Sequence, residues 1–176
     1  ERADNLPGTT AALDAGNGEA WMLLASAQYE AGSDDAALDT TRRALAVVRE
    51  PTLRAGLLVT RATLLEERGD AHAAASTWIA AAEERPDDRQ PLACALHLLR
   101  GLGEWGTAGR ILKRAAGRAK TPALQADLFC ELGRLRAGPL EDMDGAIEAY
   151  RAALDAAPDR EEAREARLAP DVTVEL

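Results

Sequence analysis

The feature that most restricts the fold of this chain is a stripe of small residues that recurs four times. The stripes begin at Ala37, Ala74, Ala108 and Ala146, which are 37, 34 and 38 residues apart. In each stripe a second alanine follows seven positions later, so both lie on one face of an α-helix. A helix with such a stripe needs a neighbour to pack against, and the near-constant spacing indicates repeated units that stack on one another.

A second helical segment precedes each stripe. Its apolar residues recur at intervals of three, four and seven positions and stop at a glycine. These glycines are Gly32, Gly69, Gly103 and Gly138. Because glycine commonly ends helices, each unit is predicted to be a helix, a tight turn and a second helix. The prolines at the joins between units are Pro51, Pro86, Pro91 and Pro122.

The combined pattern resembles the tetratricopeptide repeat (TPR), a unit of two helices. In that family the second helix carries an alanine, an aromatic residue and another alanine, and a proline closes the unit. The residues that match this pattern most fully are Ala74, Trp78, Ala81 and Pro86 in the second unit, and Ala146, Tyr150, Ala153 and Pro158 in the fourth. The resemblance implies an all-α fold, a right-handed superhelical solenoid of antiparallel helix hairpins.

The resemblance also divides the chain into domains and shows where it departs from the family. It implies four TPR-like repeats within 18–158, at 18–51, 52–88, 89–122 and 123–158, between an N-terminal helix end or cap at 1–17 and a capping helix with a C-terminal tail at 159–176. Repeat 1 has Thr41 where an aromatic residue is usual. Extra residues before Gly69 predict either a longer first helix or a longer joint in repeat 2. The inserted segment GPLEDM predicts a looser turn in repeat 4.

Composition narrows the classes of function. The net charge is −9 and the pI about 4.8, which argues against a general nucleic-acid binder. No apolar run is long enough to cross a bilayer, and two cysteines are too few for a disulfide framework, so a cytoplasmic protein that does not enter membranes is predicted. Frequent Ala, Arg, Gly and Asp suggest a bacterial source. The chain begins at Glu1 without a methionine and is expected to be a segment of a longer protein.

One pair of residues has the spacing of metal ligands. Cys94 and His97 are three positions apart on a predicted helix and face the same side. A zinc site needs three or four ligands, and His72 and Cys130 belong to other predicted hairpins, so two ordinary helix residues are the favoured interpretation. Adjacent acidic residues such as Glu66-Glu67 are interpreted as solvated helix faces. No cofactor, metal or catalytic residue is predicted, and the chain is not expected to be an enzyme.

The resemblance implies a binding groove. In TPR proteins the first helix of each repeat lines a concave surface that holds a peptide or a helix of a partner. The residues at the matching positions here are Met22, Ser26, Tyr29, Val59, Thr63, Glu66, Ala93, His97, Arg100, Cys130 and Arg134. A known subset of the family grips a chaperone's C-terminal carboxylate with Lys, Asn and Arg. That carboxylate clamp is absent, because its positions hold Met22, Ser26, Thr60, Gln90 and Cys94.

Charge is unevenly distributed along the chain. Residues 89–122 have a net charge of +6, whereas residues 1–88 and 123–176 have −8 and −7. One basic stripe follows the second helix of repeat 3, which the resemblance places on the convex side: Arg110, Lys113, Arg114 and Arg118. Two interpretations stay open. Neighbouring acidic repeats neutralise this basic strip, which is somewhat favoured, or it docks an acidic partner.

These observations favour a scaffold that binds another protein or peptide along a helical groove. Two alternatives remain. The chain self-associates, for example as a homodimer, through an apolar end face. Otherwise it is the regulatory arm of a larger multidomain enzyme or sensor, an idea that its segment-like ends suggest. The assignment of a protein partner follows from the family resemblance and not from a site.

Overall fold

The computed structural model describes residues 17–159, which form eight α-helices and contain no β-strand. The helices are α1 Gly18–Glu30, α2 Asp34–Val47, α3 Pro51–Glu67, α4 Ala71–Glu84, α5 Arg89–Gly101, α6 Trp105–Arg118, α7 Pro122–Ala137 and α8 Met143–Ala156. The predicted all-α fold is therefore confirmed. The cap expected at 1–17 and the capping helix expected at 159–176 lie, except for Asn17 and Asp159, outside the described residues.

Side chains before several helices satisfy the first backbone amides. The Asn17 side chain accepts a hydrogen bond from the Ala20 amide at 3.1 Å, and Asp142 accepts one from the Gly145 amide at 2.9 Å. The Glu50 carboxylate accepts from two amides at the start of α3, and Pro51 is the first residue of that helix. Such caps replace partners that the first turn of a helix lacks, so they fix where each helix begins.

Three of the helix turns share one geometry. Gly32, Gly69 and Gly103 have positive φ angles of 67°, 77° and 72°. One residue beyond each glycine, a backbone amide bonds back to the carbonyl five positions earlier, as in the Ser33-to-Gln28 bond of 2.9 Å. This pattern closes a helix within three residues and needs the left-handed conformation that glycine adopts at low cost.

The fourth turn is longer, as its inserted segment predicted. Five residues, 138–142, separate α7 from α8, whereas three separate α1 from α2. Gly138 has a φ of −93°, and the residue with positive φ is Glu141, at 50°. Of the two alternatives for repeat 2, the longer first helix is the one present, because α3 has 17 residues and α1 has 13.

The chain divides into two compact units, which are called unit 1 (17–98) and unit 2 (99–159) within the described residues. In unit 1, α1 packs on α2, α3 packs on α4, and α3 also contacts α1 and α2. In unit 2, α7 packs on α8 and on α6. The pairs α1–α2, α3–α4 and α7–α8 therefore form helix hairpins. None of the helices in residues 17–159 has the length and apolar character needed to cross a membrane.

The alanine stripes pack the core, as the repeat predicted. The residues that begin them, Ala37, Ala74, Ala108 and Ala146, are at most 1% exposed. In α6 the second buried alanine is Ala116, eight positions after Ala108, whereas Ala115, which the resemblance selects, is half-buried. That one register position is a correction to the sequence analysis, and both residues lie on neighbouring rows of the same helix.

Unit 1 has a core in two clusters. One contains Trp21, Ala25, Ala44, Val48 and Leu57. The other contains Ala62, Leu65, Ala74, Trp78 and Ala95, so α3, α4 and α5 share it. Small and large side chains alternate in both clusters, which lets helices approach closely while the indole rings fill the remaining space.

A partly buried ion pair holds three helices of unit 1 together. The Arg54 Nε donates to the Glu84 carboxylate at 2.6 Å, which joins α3 to α4. The same guanidinium donates to the carbonyls of Leu45 and Val48 at 2.8 and 3.0 Å. These carbonyls lie at the end of α2, where no intrahelical donor is available to them. Arg54, which belongs to α3, therefore satisfies the end of α2 and also binds α4.

Unit 2 has a close helix crossing in its α7–α8 hairpin. A Cβ atom placed on Gly133 would lie 2.7 to 2.9 Å from three ring atoms of Tyr150. No side chain larger than hydrogen fits there without displacing the ring. Ala126, Cys130 and Ala153 form the buried cluster below this crossing, with Phe129 packed against it. Tyr150 thus fills the space between small residues, as the stripe predicted.

Candidate partner-binding surface

The predicted groove residues of unit 1 lie on α1, α3 and α5. Met22, Ser26 and Tyr29 follow one stripe of α1 and are half-buried. On α3, Val59 and Thr63 are half-buried, and Glu66 one turn later is exposed. The two helices contact each other, and a Cβ atom on Gly56 of α3 would lie 2.7 Å from the Met22 sulfur. The structure therefore brings these two stripes to neighbouring helices of unit 1.

Some side chains of this surface also pack against the core of unit 1. Met22 packs against the Trp21 cluster, and Val59 packs against the Trp78 cluster. The Thr63 hydroxyl donates to the Val59 carbonyl at 3.1 Å, within its own helix. The side chains of this surface that reach solvent are mixed in polarity, from Met22 and Val59 to Thr63 and Glu66.

Hydrogen bonds fix two polar side chains at the end of this surface. The Tyr29 hydroxyl donates to the Glu67 carboxylate at 2.7 Å, which links α1 to α3. Because deprotonation would break this bond beside an anion, the bond and the small desolvation raise the pKa of Tyr29 above 10.0. The Trp78 Nε1 donates to the Glu66 carboxylate at 3.1 Å. Glu66 and Glu67 are exposed, as the solvated-face interpretation predicted, and each also accepts a hydrogen bond from another helix.

The residues with metal-ligand spacing do not form a cluster. Partial burial raises the pKa of the Cys94 thiol, and the nearby Glu66 carboxylate adds to the effect. His97 is exposed one turn further along α5. Within residues 17–159 no three His, Cys, Asp or Glu side chains are close enough together to hold a metal ion. At neutral pH Cys94 is a thiol and not a thiolate, so it is a poor nucleophile.

Unit 2 contains a defined pocket of about 320 Å³. The residues that line it are Arg100, Trp105, Glu131, Arg134, Leu135 and Pro139. They come from the end of α5, the start of α6, the last turns of α7 and the long 138–142 turn. Two of the predicted groove residues, Arg100 and Arg134, thus line one pocket.

An ion pair crosses this pocket. The Arg100 Nη2 donates to the Glu131 Oε1 at 2.6 Å, which joins α5 to α7. The side chain of Arg100 is 43% exposed and that of Glu131 is 20% exposed. The acidic member is therefore more enclosed than the basic one, and solvent reaches the guanidinium more easily.

One predicted groove residue is placed wrongly by the sequence. Cys130 is 1% exposed and belongs to the buried cluster of Ala126 and Ala153. It lies four residues before the exposed Arg134, yet the close α7–α8 crossing covers it. It therefore packs the core of unit 2 and is not available to a partner.

The basic strip of α6 is exposed. Arg110, Lys113, Arg114 and Arg118 all reach solvent. The Arg110 guanidinium donates to the hydroxyl of Thr107, a neutral residue one turn earlier, at 3.1 Å. Arg114 and Arg118 also have interactions within the chain. The choice between neutralisation and docking stays open for this strip.

The chain is similar to several solved structures. A crystal structure of MamA protein is 17% identical, with 86% of this chain and 79% of that chain covered and a TM-score of 0.49. MamA 41-end from Desulfovibrio magneticus RS-1 is 18% identical, with 86% and 82% covered and a TM-score of 0.47. TTC0263, a thermophilic TPR protein in Thermus thermophilus, is 23% identical, with 87% and 80% covered and a TM-score of 0.42. No protein-family model and no curated protein matches the chain.

Because these TM-scores are low, the fold is assigned from the chain's own helix hairpins and glycine turns. Its fold is TPR-like. The resemblance proposed from the alanine stripes is confirmed in that sense, with the helix hairpins α1–α2 and α3–α4 in unit 1 and α7–α8 in unit 2. The boundaries of the four repeats stay a prediction, although the helices begin close to them, as at Gly18 and Arg89.

Sequence reasoning missed four residues of the unit 2 pocket. Trp105, Glu131, Leu135 and Pro139 are absent from the predicted groove. One signal was present, because Pro139 belongs to the inserted segment that lengthens the fourth turn. Glu131 carried no such signal. The sequence does not distinguish a helical carboxylate that faces solvent from one that pairs with a residue 31 positions away.

Proposed function

We propose that this TPR-like chain is a non-catalytic scaffold that binds another protein or peptide along the exposed surface of its first-of-pair helices. In unit 1 the proposed surface consists of Met22, Ser26, Tyr29, Val59, Thr63, Glu66 and His97. In unit 2 it consists of Arg100 and Arg134. The self-association and regulatory-arm alternatives remain predictions, and sedimentation at several protein concentrations tests the first of them.

One observation carries this proposal. Tyr29 and Glu66 are solvent-accessible polar side chains that hydrogen bonds to other helices already hold in place. A surface fixed in advance loses less side-chain entropy when a partner binds, so a modest contact area gives measurable affinity. Ser26 lies three positions before Tyr29 on α1, and Thr63 lies three positions before Glu66 on α3. Both side chains are small enough to let a peptide backbone approach.

Selection from a displayed library of random peptides tests the proposal. Peptides enriched on the chain are labelled, and their affinities are measured by fluorescence anisotropy. Ser26→Arg places a long cation on the proposed surface and is expected to weaken binding by about tenfold or more through steric exclusion. Ser76→Arg on α4 is the matched control, because it adds the same charge at an exposed position of a second-of-pair helix.

The two variants separate a specific surface from general stickiness. Thermal denaturation first confirms that both retain the wild-type fold. Loss of binding in Ser26→Arg with retention in Ser76→Arg supports the proposal. Equal affinities of the two variants, or failure of the library to yield any enriched peptide, would contradict it.

A further inference from the structure

The geometry points to a specific ligand for the unit 2 pocket: an acidic residue of a partner peptide with an apolar residue next to it. This inference depends on the proposed protein-binding function and names the partner chemistry at one of its surfaces. It is carried by the pocket formed by α5, α6, α7 and the long 138–142 turn.

The size and the walls of the pocket suit two peptide side chains. Its volume of about 320 Å³ is at the small end of the range for ligand sites, roughly 300–1,000 Å³. Trp105, Leu135 and Pro139 supply an indole ring, a branched aliphatic chain and a proline ring. These groups provide an apolar wall on which one aliphatic or aromatic side chain packs.

The charge of the lining favours an acidic neighbour to that apolar residue. Arg100 and Arg134 outnumber Glu131, so the lining carries one net positive charge. One of the two arginines, Arg100, comes from the basic segment 89–122, whose net charge is +6. Guanidinium groups bind carboxylates with directional, charge-assisted hydrogen bonds, and each has five donors.

The Arg100–Glu131 ion pair determines whether removal of the Glu131 charge strengthens or weakens the binding of a peptide. Glu131 occupies one donor of Arg100, at 2.6 Å, and a carboxylate from a peptide must share or displace that contact. A basic peptide would instead need Glu131, which is the more enclosed partner of the pair. Removal of the Glu131 charge should therefore strengthen an acidic ligand and weaken a basic one.

The net charge of the whole chain does not reverse this preference. At physiological salt, interactions between exposed charges fade beyond about 8 Å. The distant acidic residues mainly slow the approach of an acidic peptide, whereas the pocket arginines act at contact distance. Affinity for an acidic peptide is accordingly expected to fall as salt rises, because the attractive contact is itself partly exposed.

Three labelled peptides test this inference on the whole chain: Gly-Ser-Asp-Leu-Asp-Leu-Ser-Gly, and versions with asparagine or lysine in place of aspartate. Anisotropy titration is expected to rank the affinities aspartate, asparagine, lysine. Arg134→Gln should weaken the aspartate peptide by about tenfold, since a hydrogen bond to a charged group is lost. Arg151→Gln on α8 makes the same change at an exposed position that does not line the pocket, and it should leave the affinity unchanged.

The second variant is Glu131→Gln, which keeps a hydrogen-bond acceptor for Arg100 but removes the negative charge. It should strengthen the aspartate peptide by about two- to fivefold, the range expected for one exposed ion pair. Asp155→Asn on α8 is the charge-matched control and should have no effect. Both variants keep polar side chains of nearly the same shape, so neither is expected to unfold the chain.

Several outcomes overturn the inference. A preference for the lysine peptide, or weaker aspartate binding in Glu131→Gln, would reverse the assigned charge of the ligand. Equal losses in Arg134→Gln and Arg151→Gln would show that the effect comes from long-range electrostatics and not from the pocket. If no designed peptide binds while library-selected peptides still respond to Ser26→Arg, the pocket inference fails and the proposed function stands. If the selected peptides fail as well, both are wrong.

Discussion

The α3–α4 hairpin of unit 1 and the α7–α8 hairpin of unit 2 reach the same arrangement by different means. The first closes in three residues through Gly69, whose φ is 77°, and its Trp78 is held by a hydrogen bond to Glu66. The second closes in five residues, 138–142, and its α7 lies directly against the Tyr150 ring at Gly133. The glycine turn fixes the α3–α4 hairpin, and the close contact at Gly133 fixes the α7–α8 hairpin.

In the α7–α8 hairpin side-chain contacts fix the two helices, whereas in the α3–α4 hairpin the glycine turn does so. The Arg136 guanidinium donates to the Gly145 carbonyl at 2.9 Å, which ties the end of α7 to the start of α8 across the long turn. Glu141 adopts a φ of 50° without being glycine, a conformation that costs a side chain energy. A longer turn is thus tolerated where a close crossing and a bridging arginine fix the helices, and that freedom allows Pro139 to line a pocket.

The largest expected effects come from overfilling the alanine positions of both hairpins. Ala81 in α4 and Ala153 in α8 are 0% exposed. Replacing either with leucine forces neighbours apart and should lower the free energy of unfolding by about 1–3 kcal/mol. Chemical denaturation measures the loss, and Ser76→Leu at an exposed position of α4 is the control. An unchanged stability for Ala81→Leu would show that the repeat register is wrong.

A smaller effect is expected at the crossing that distinguishes unit 2. Gly133→Ala places a methyl group within 2.9 Å of three atoms of the rigid Tyr150 ring. The strain outweighs the better helix propensity of alanine, so a net loss of about 1–2 kcal/mol is expected by denaturation.

Gly56→Ala is the matched substitution in unit 1. Its new Cβ would lie 2.7 Å from the Met22 sulfur, which is the end of a flexible side chain and moves aside at little cost. Near-neutral stability is expected there. Should the two glycine variants lose equal stability, the crossing would not be the feature that defines the α7–α8 hairpin.

The sequence predicted the parts of both hairpins that local chemistry determines. Glycines at 32, 69 and 103 end helices because only a few residues adopt positive φ, and stripes beginning at Ala74 and Ala146 face the core because helical periodicity is local. The same reasoning predicted a longer fourth turn from its inserted residues.

The polar contacts of the candidate surface were not predictable in this way. Periodicity tells which side of a helix a residue occupies, but not which neighbour it meets. The Tyr29–Glu67 bond joins residues 38 positions apart, and Cys130 is buried because α8 crosses α7 so closely. Both depend on how the helices stack, so the family's groove positions included one core residue and omitted Trp105 and Glu131.

Exchange of the turn residues gives a third test of the comparison. Gly69→Ala puts a side chain at φ 77° with no atom near it, so only backbone strain acts, and a loss of about 1 kcal/mol is expected.

Glu141→Gly relieves the backbone strain at φ 50° but gives the unfolded chain more freedom, so its stability should stay within a few tenths of a kcal/mol of wild type. Gly106→Ala in α6, also in open space but without positive φ, is the control and should not destabilise. Losses of about 1 kcal/mol in all three variants would mean that these turns are not strained by φ.

The smallest effect concerns how α3 and α7 begin. Both start with proline, but the Glu50 carboxylate caps α3 and the Thr121 hydroxyl caps α7. Hydrogen bonds from the Thr52 and Leu53 amides lower the pKa of Glu50 below 4.5. A carboxyl whose pKa is lower in the folded state stabilises the fold above its unfolded pKa, and this contribution is lost as pH falls through the folded value.

The stability difference between wild type and Glu50→Gln should therefore be positive at neutral pH and shrink as the pH drops below 4.5, measured by urea denaturation at each pH. Thr121→Val removes the cap of α7, which does not titrate, so its difference from wild type should stay constant over the same range. A Glu50→Gln difference that stays constant too would mean that the charge of Glu50 adds nothing to its capping hydrogen bonds, and that the two helix starts are stabilised in the same way.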